Sequence, residues 1–183
     1  MRGSVLPRGA RRAGASLAVL VVSLVAVFAT LNAVRSRPEP LSGALESPDA
    51  VAEAVLEAMA ARDAERLARL VLSEGEFRDH VWPYLPVSRP EVNMPFDVMW
   101  GMLRQNSQAY LRQTLAALDG EPPLEVRGVR FAGETSTYGD VRVHRDAELV
   151  VGAPDGSERV VRLFGSLIEQ NGAWKVFSYV ADD

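Results

Sequence analysis

The dipeptide Asn171-Gly172, preceded by VVRLFGSLIEQ and followed by AWKVFSYV, constrains the fold of this chain more than any other stretch. Asn and Gly supply the two positive φ angles of a type I′ turn, whose twist matches that of the strands it joins, so the spacing predicts a hairpin over 160–180. Strict alternation then places Glu169 and Trp174, Leu167 and Val176, Gly165 and Ser178, and Leu163 and Val180 on one face. Ile168 and Lys175, Ser166 and Phe177, and Phe164 and Tyr179 fall on the other, which continues to Arg162 and Val160. The first face is expected to pack against helices. The second, with Val160, Arg162, Phe164, Ile168, Phe177 and Tyr179, is expected to be an outer patch too apolar to stay wet and suited to a homodimer or another protein, the alternative being that the loop from Pro83 to Pro95 folds over and covers it.

Upstream, 15–34 is a run of 20 uncharged and mostly apolar residues. As a helix it is about 30 Å long, the thickness of a hydrocarbon core. Arg2, Arg8, Arg11 and Arg12 precede it, so the tail 1–14 is expected in the cytoplasm and the rest of the chain on the far side of a cell membrane. Cleavage of a signal peptide near Val27 and Ala29, with secretion, is the alternative. Arg11-Arg12 lacks the residues that follow the pair in a twin-arginine signal. Pro, Ser and Gly over 35–46 read as a flexible linker, leaving 47–183 as one domain of ordinary size.

All 24 acidic residues follow Pro38, while Arg2, Arg8, Arg11, Arg12, Arg35 and Arg37 are six of the 20 basic ones, so 39–183 carries 14 − 24 = −10. Such a balance argues against nucleic acid and against an anionic lipid surface as partners. The absence of cysteine excludes disulfides, zinc-cysteine sites and a thiol nucleophile.

Ser47-Pro48-Asp49 predicts a helix start, with Val51, Val55, Leu56 and Met59 at helical spacing. A second helix restarts at Asp63, with Leu67, Leu70 and Val71 inward, and a third short one runs over 74–82 behind Ser73. Prolines 83, 86, 90 and 95 predict an extended segment. A fourth helix over 96–118 shows a broad apolar stripe through Phe96, Trp100, Leu103, Ser107, Tyr110, Leu111, Thr114, Leu115 and Leu118, stopped by Gly120. Strands over 124–131 and 138–151, the latter reaching Val160 through Pro154-Asp155-Gly156, complete an α+β fold with helices on a curved four-stranded antiparallel sheet.

ALESPDAVAEAVLEAMAARDAERLARLV at the start of this region and LFGSLIEQNGAWKVFSYVADD at its end resemble the NTF2-like (SnoaL-like, cystatin-like) superfamily. The Gly172, Trp174, Lys175, Val176 pattern of its last strands is included. The resemblance implies helices packed in the cup of a bent sheet. It also implies a function that ranges from isomerase, dehydratase or cyclase to domains that only bind or assemble. Enzymes of that fold use Asp, His or Tyr inside the cup. His80, read as a cap or rim residue, His144, read as solvent-facing, and Asp97, favoured by the helix dipole in any case, are the candidates. Trp82, Tyr84, Phe96, Trp100, Tyr110, Gly165 and Ser178 are the candidate pocket residues for a small-molecule ligand. A satellite core beneath a long loop is the other reading of the four aromatics from Trp82 to Trp100. No cofactor or metal motif is present. A membrane-anchored binding or assembly domain therefore comes first, an acid-base enzyme second, and a subunit that helps a membrane complex assemble third.

Overall fold

The structure is a computed structural model that describes residues 39–117, 124–152 and 156–179. The expected tail 1–14, the span 15–34, the first four linker residues, the Gly120 stop and the Pro154-Asp155 turn lie outside these residues. Among the described residues no helix is long and apolar enough to cross a membrane.

The first three α-helices begin where a side chain can satisfy a free amide. Ser47 Oγ accepts from the Ala50 amide at 3.0 Å and opens α1, Pro48–Ala60. Asp63 does the same for the Arg66 amide at 2.8 Å and opens α2, Ala64–Leu70. Ser73 and Glu76 form a reciprocal capping box on α3, Glu74–Glu76, which satisfies two orphan donors at once. The chain then runs directly into a π-helical turn, Phe77–Val81. Prolines 83 and 86 sit in the first turns of two 3-10 helices, Trp82–Tyr84 and Pro86–Ser88. The extended segment expected there is thus corrected: the fixed φ of proline fits the start of a turn as well as an extended chain. The long helix α4 covers Phe96–Ala117.

Among the described residues seven strands follow: β1 Glu125–Phe131, β2 Thr135–Tyr138, β3 Val141–Arg145, β4 Ala147–Gly152, β5 Glu158–Val161, β6 Phe164–Gln170 and β7 Ala173–Tyr179. They form antiparallel sheets ordered β1-β4-β5 and β2-β3-β6-β7. Traced through the corners at 132–134, Asp146 and 162–163, the seven segments make four passes of a meander that bends sharply. Asp146 turns the corner with φ 49°, and Gly139, at φ 57°, makes a hairpin that divides the single strand expected over 138–151. At the 132–134 corner the Ala132 amide bonds to the Asp146 carbonyl at 3.0 Å. A β-carbon on Gly133 would lie 2.4 Å from the Asp146 carboxylate.

The Asn171-Gly172 turn has the anticipated positive φ angles, 54° and 83°, and Glu169 faces Trp174 and Ile168 faces Lys175 as expected. Beyond Leu167 the register slips. Ser166, rather than Gly165, pairs with Ser178. Such bulges break the two-residue alternation. Phe164 and Tyr179 consequently join Leu167 and Val176 in the main core, with Val51, Val55 and Met59 of α1 and Leu67 and Leu70 of α2.

The outer patch is corrected as a result. Phe164, Ile168 and Tyr179 are buried, and Phe177 is half-buried. Only Val160 and the Arg162 side chain keep substantial exposure. The opposite face of the four-stranded sheet carries a second core in which Val141, Val143, Ile168 and Phe177 meet Leu72, Phe77, Val81, Trp82, Phe96 and Trp100. α4 serves both cores, with Trp100 and Leu103 in the second and Leu111 and Leu115 in the main one.

The 39–46 stretch is also corrected from flexible linker to part of the fold. The Leu45 and Trp174 backbones exchange two hydrogen bonds, at 2.8 and 2.6 Å, and Leu41 is buried.

Candidate functional site

The last two residues of β6 are polar and buried, and they point to opposite faces. Glu169, 3% exposed, lies beside Arg142 and His144 of β3. It accepts from Arg142 Nε and, at 2.8 Å, from the Gly172 amide of the hairpin turn. These two donors hold its carboxyl below the ordinary range against burial, which acts the other way, so it is an anion at neutral pH.

His144 is not solvent-facing. Its ring packs against both Phe131 and Trp174, with centroids 5.0 and 4.7 Å away, and these two stack on each other at 6.0 Å. The side chain is 14% exposed. Nδ1 is 3.0 Å from Thr135 Oγ1 on β2. Nε2 is fully covered, has no hydrogen bond, and lies 3.9 Å from a Glu169 oxygen. Burial, with the Arg142 charge, pushes its pKa below the ordinary histidine value despite the pull of Glu169. The arrangement is a neutral imidazole facing a carboxylate beside a stacked aromatic pair, with Nε2 covered.

On the other face Gln170 donates to Asp140 Oδ2 at 2.8 Å and accepts from the Leu41 amide at 2.9 Å. Asp140 Oδ1 is 3.5 Å from Nδ1 of His80. His80 is 1% exposed, so the cap or rim expected for it is corrected to an interior position: the π-helical turn rotates it toward the sheet end. Burial raises the Asp140 carboxyl, but the hydrogen bonds from Gln170 and His80 outweigh it and leave the pKa lowered. This chain of polar groups ties four distant segments together, those of Leu41, His80, Asp140 and Gln170. A third cluster pairs Lys175, 4% exposed, with Glu76 at 2.9 Å.

The other sequence candidates do not converge. Asp97 is exposed at the start of α4. Tyr110, read into the apolar stripe, is 40% exposed, a correction that follows from α4 narrowing its buried face to Ser107, Leu111 and Thr114. Phe77, absent from the candidates, contacts Trp82, Phe96, Trp100 and Phe177 at 5.6–6.4 Å between ring centroids. Trp82, Phe96 and Trp100 therefore belong to a satellite core, while Tyr84 stands 52% exposed outside it. Gly165 and Ser178, both half-buried, sit at the bulge. A shallow groove of about 670 Å³ runs between 44–46, α1 and the hairpin turn, past Glu46, Glu53 and Glu57. None of the candidate residues lines it.

Glu169, Arg142, Asp140, Gln170 and Lys175 are not among the candidate site residues of the sequence. One signal was visible: Glu169 sits on an otherwise aliphatic face, and a carboxylate in such a place requires a partner. Among the described residues no group of three or more His, Cys, Asp or Glu side chains is placed to hold a metal ion. No protein family, curated protein or solved structure matches the chain.

Proposed function

We propose that this chain is a membrane-anchored domain of the NTF2-like kind, held outside the cytoplasm by 15–34, and that it binds or assembles with another protein rather than catalysing a reaction. The observation that carries this reading is the filled concave side of the bent sheet. Leu149, Leu163, Phe164, Leu167, Val176 and Tyr179 are packed there against α1 and α2 with almost no exposure. Even the Tyr179 hydroxyl is spent on the Leu67 carbonyl at 2.9 Å. Enzymes that work inside such a cup need a titratable group open to a cavity, and both histidines here are enclosed. The α1–α2 pair under a bent antiparallel sheet and the Gly172 to Val176 pattern support the NTF2-like resemblance. The arginine bias before 15–34 supports the topology.

Two measurements test the reading. Carbonate washing of membranes should leave the tagged full chain in the pellet, whereas release of a shortened soluble chain would establish cleavage. An apolar fluorescent probe should find no stoichiometric site in the native domain. Saturable uptake that Leu167→Trp abolishes would mean an open cup.

A second reading, an acid-base enzyme, has one observation in its favour: neutral His144 with an uncommitted Nε2 opposite ionised Glu169. It requires Phe131 or Trp174 to swing aside. Carbethoxylation of native His144 at the rate of a free imidazole would support it; protection until unfolding would remove it.

A further inference from the structure

Residues 39–46 are held in the manner of a bound peptide. The Leu41 amide donates to Gln170 Oε1 at 2.9 Å and the Ser42 amide to Glu76 Oε1 at 2.7 Å. The Ser42 carbonyl accepts from Lys175 Nζ at 2.8 Å. Three residues on, Leu45 forms an antiparallel bridge to Trp174, on the side of β7 away from β6. The two leucines go to different cores, Leu41 with Phe77 and Val81, and Leu45 against the main cluster. Ser42 and Gly43 between them are exposed, and Gly43 has φ 67°. Side chains that read backbone groups, one bridge to an edge strand, and pockets for spaced apolar residues are the means by which a sheet edge takes an extended ligand.

We propose that residues 39–46 are an exchangeable strap over the β7 edge and that a second copy of this chain fills the same groove with its own residues 39–46. A second copy brings the identical segment, so every one of these bonds is remade and no new complementary surface is needed. The strap in its own chain keeps only the advantage of high effective concentration. An empty groove is disfavoured, because departure of the strap strips the buried Lys175 ammonium of its Ser42 acceptor. Exchange is therefore favoured over simple detachment. The inference stands on these contacts and does not depend on 15–34 being a membrane span.

Lys175 is the only lysine of the chain, so its acylation reports strap opening directly. In the full chain, acylation of Lys175 followed by mass spectrometry across a urea series should run at least about tenfold faster at low urea than global unfolding permits, with little urea dependence there. Leu45→Ala should raise the rate about tenfold again, and a synthetic peptide of residues 39–46 at millimolar concentration should lower it at least about threefold. Acylation that follows global unfolding over the whole series overturns the proposal. So does a peptide without effect on the wild-type rate and on that of a folded Leu45→Ala chain. Should Leu45→Ala fail to fold, the wild-type series with and without peptide decides. Two full chains carrying different mass tags should form mixed dimers that excess peptide suppresses. Their absence overturns the second copy as occupant.

Discussion

Buried charge in this domain is concentrated in two residues, Glu169 and Lys175, that leave β6 and β7 on opposite faces near the hairpin turn. Glu169 raises the proton affinity of His144 while burial and Arg142 lower it. Glu169→Gln removes the first influence, so the His144 titration followed by NMR should move further below its wild-type position; a move upward would show that Glu169 is not what faces Nε2. For Lys175, the partner is Glu76, whose own carboxyl burial raises but the Ser73 and Lys175 hydrogen bonds lower more. Lys175→Met leaves that carboxylate buried without its counter-charge, a change that typically costs about 3–5 kcal/mol. Urea unfolding should show this loss, and adding Glu76→Gln should recover part of it, since the remaining group is then neutral.

Among the elements, the corner at Asp146 decides the architecture, because there one strand leaves the four-stranded sheet as β3 and enters the three-stranded sheet as β4. Its φ of 49° lies in the left-handed region, tolerated by Asp and opposed by a branched β-carbon. Asp146→Val should therefore destabilise by about 1–3 kcal/mol, whereas Asp146→Gly should be neutral or gain up to about 1 kcal/mol from relieved strain. Thermal unfolding of the two variants checks this, and equal effects would mean that the corner is set elsewhere. The helices illustrate the opposite case. Their starts were readable from Ser47, Asp63 and Ser73, because a cap is a local bond between a side chain and an amide two or three residues on. The bulge between Phe164 and Leu167 had no such local mark, and it sent Phe164 and Tyr179 to the face opposite the one that alternation assigns.

At the scale of the whole molecule, four groups among the described residues have lowered pKa values and share one sign. His144, Asp140, Glu169 and Glu76 each bind protons more weakly folded than unfolded, so acid favours the unfolded chain. The His144 contribution is complete above about pH 6.5 and is lost as pH falls through its folded value. The carboxylate contributions are complete above about pH 4.5 and are lost below it. Urea midpoints measured from pH 8 down to pH 4 should begin to fall near the histidine range and fall more steeply in the carboxylate range. In His144→Gln the upper part of that decline should flatten; an unchanged profile would exclude His144 as its source.

Local chemistry written into the chain was enough for the helix starts, the Asn171-Gly172 turn, the α+β class and the near ends of the β6–β7 register, because each depends on residues a few positions apart. The burial of both faces of that hairpin, the conversion of 39–46 from linker to strap, and the pairing of Glu169 with His144 and Arg142 and of Lys175 with Glu76 depend on residues brought together from 25 to 133 positions away. A single β-strand pattern says which side chains share a face; it does not say what covers that face. Here the second face was claimed by the π-helical turn at Phe77 and the first half of α4, and that choice was made by packing two cores at once.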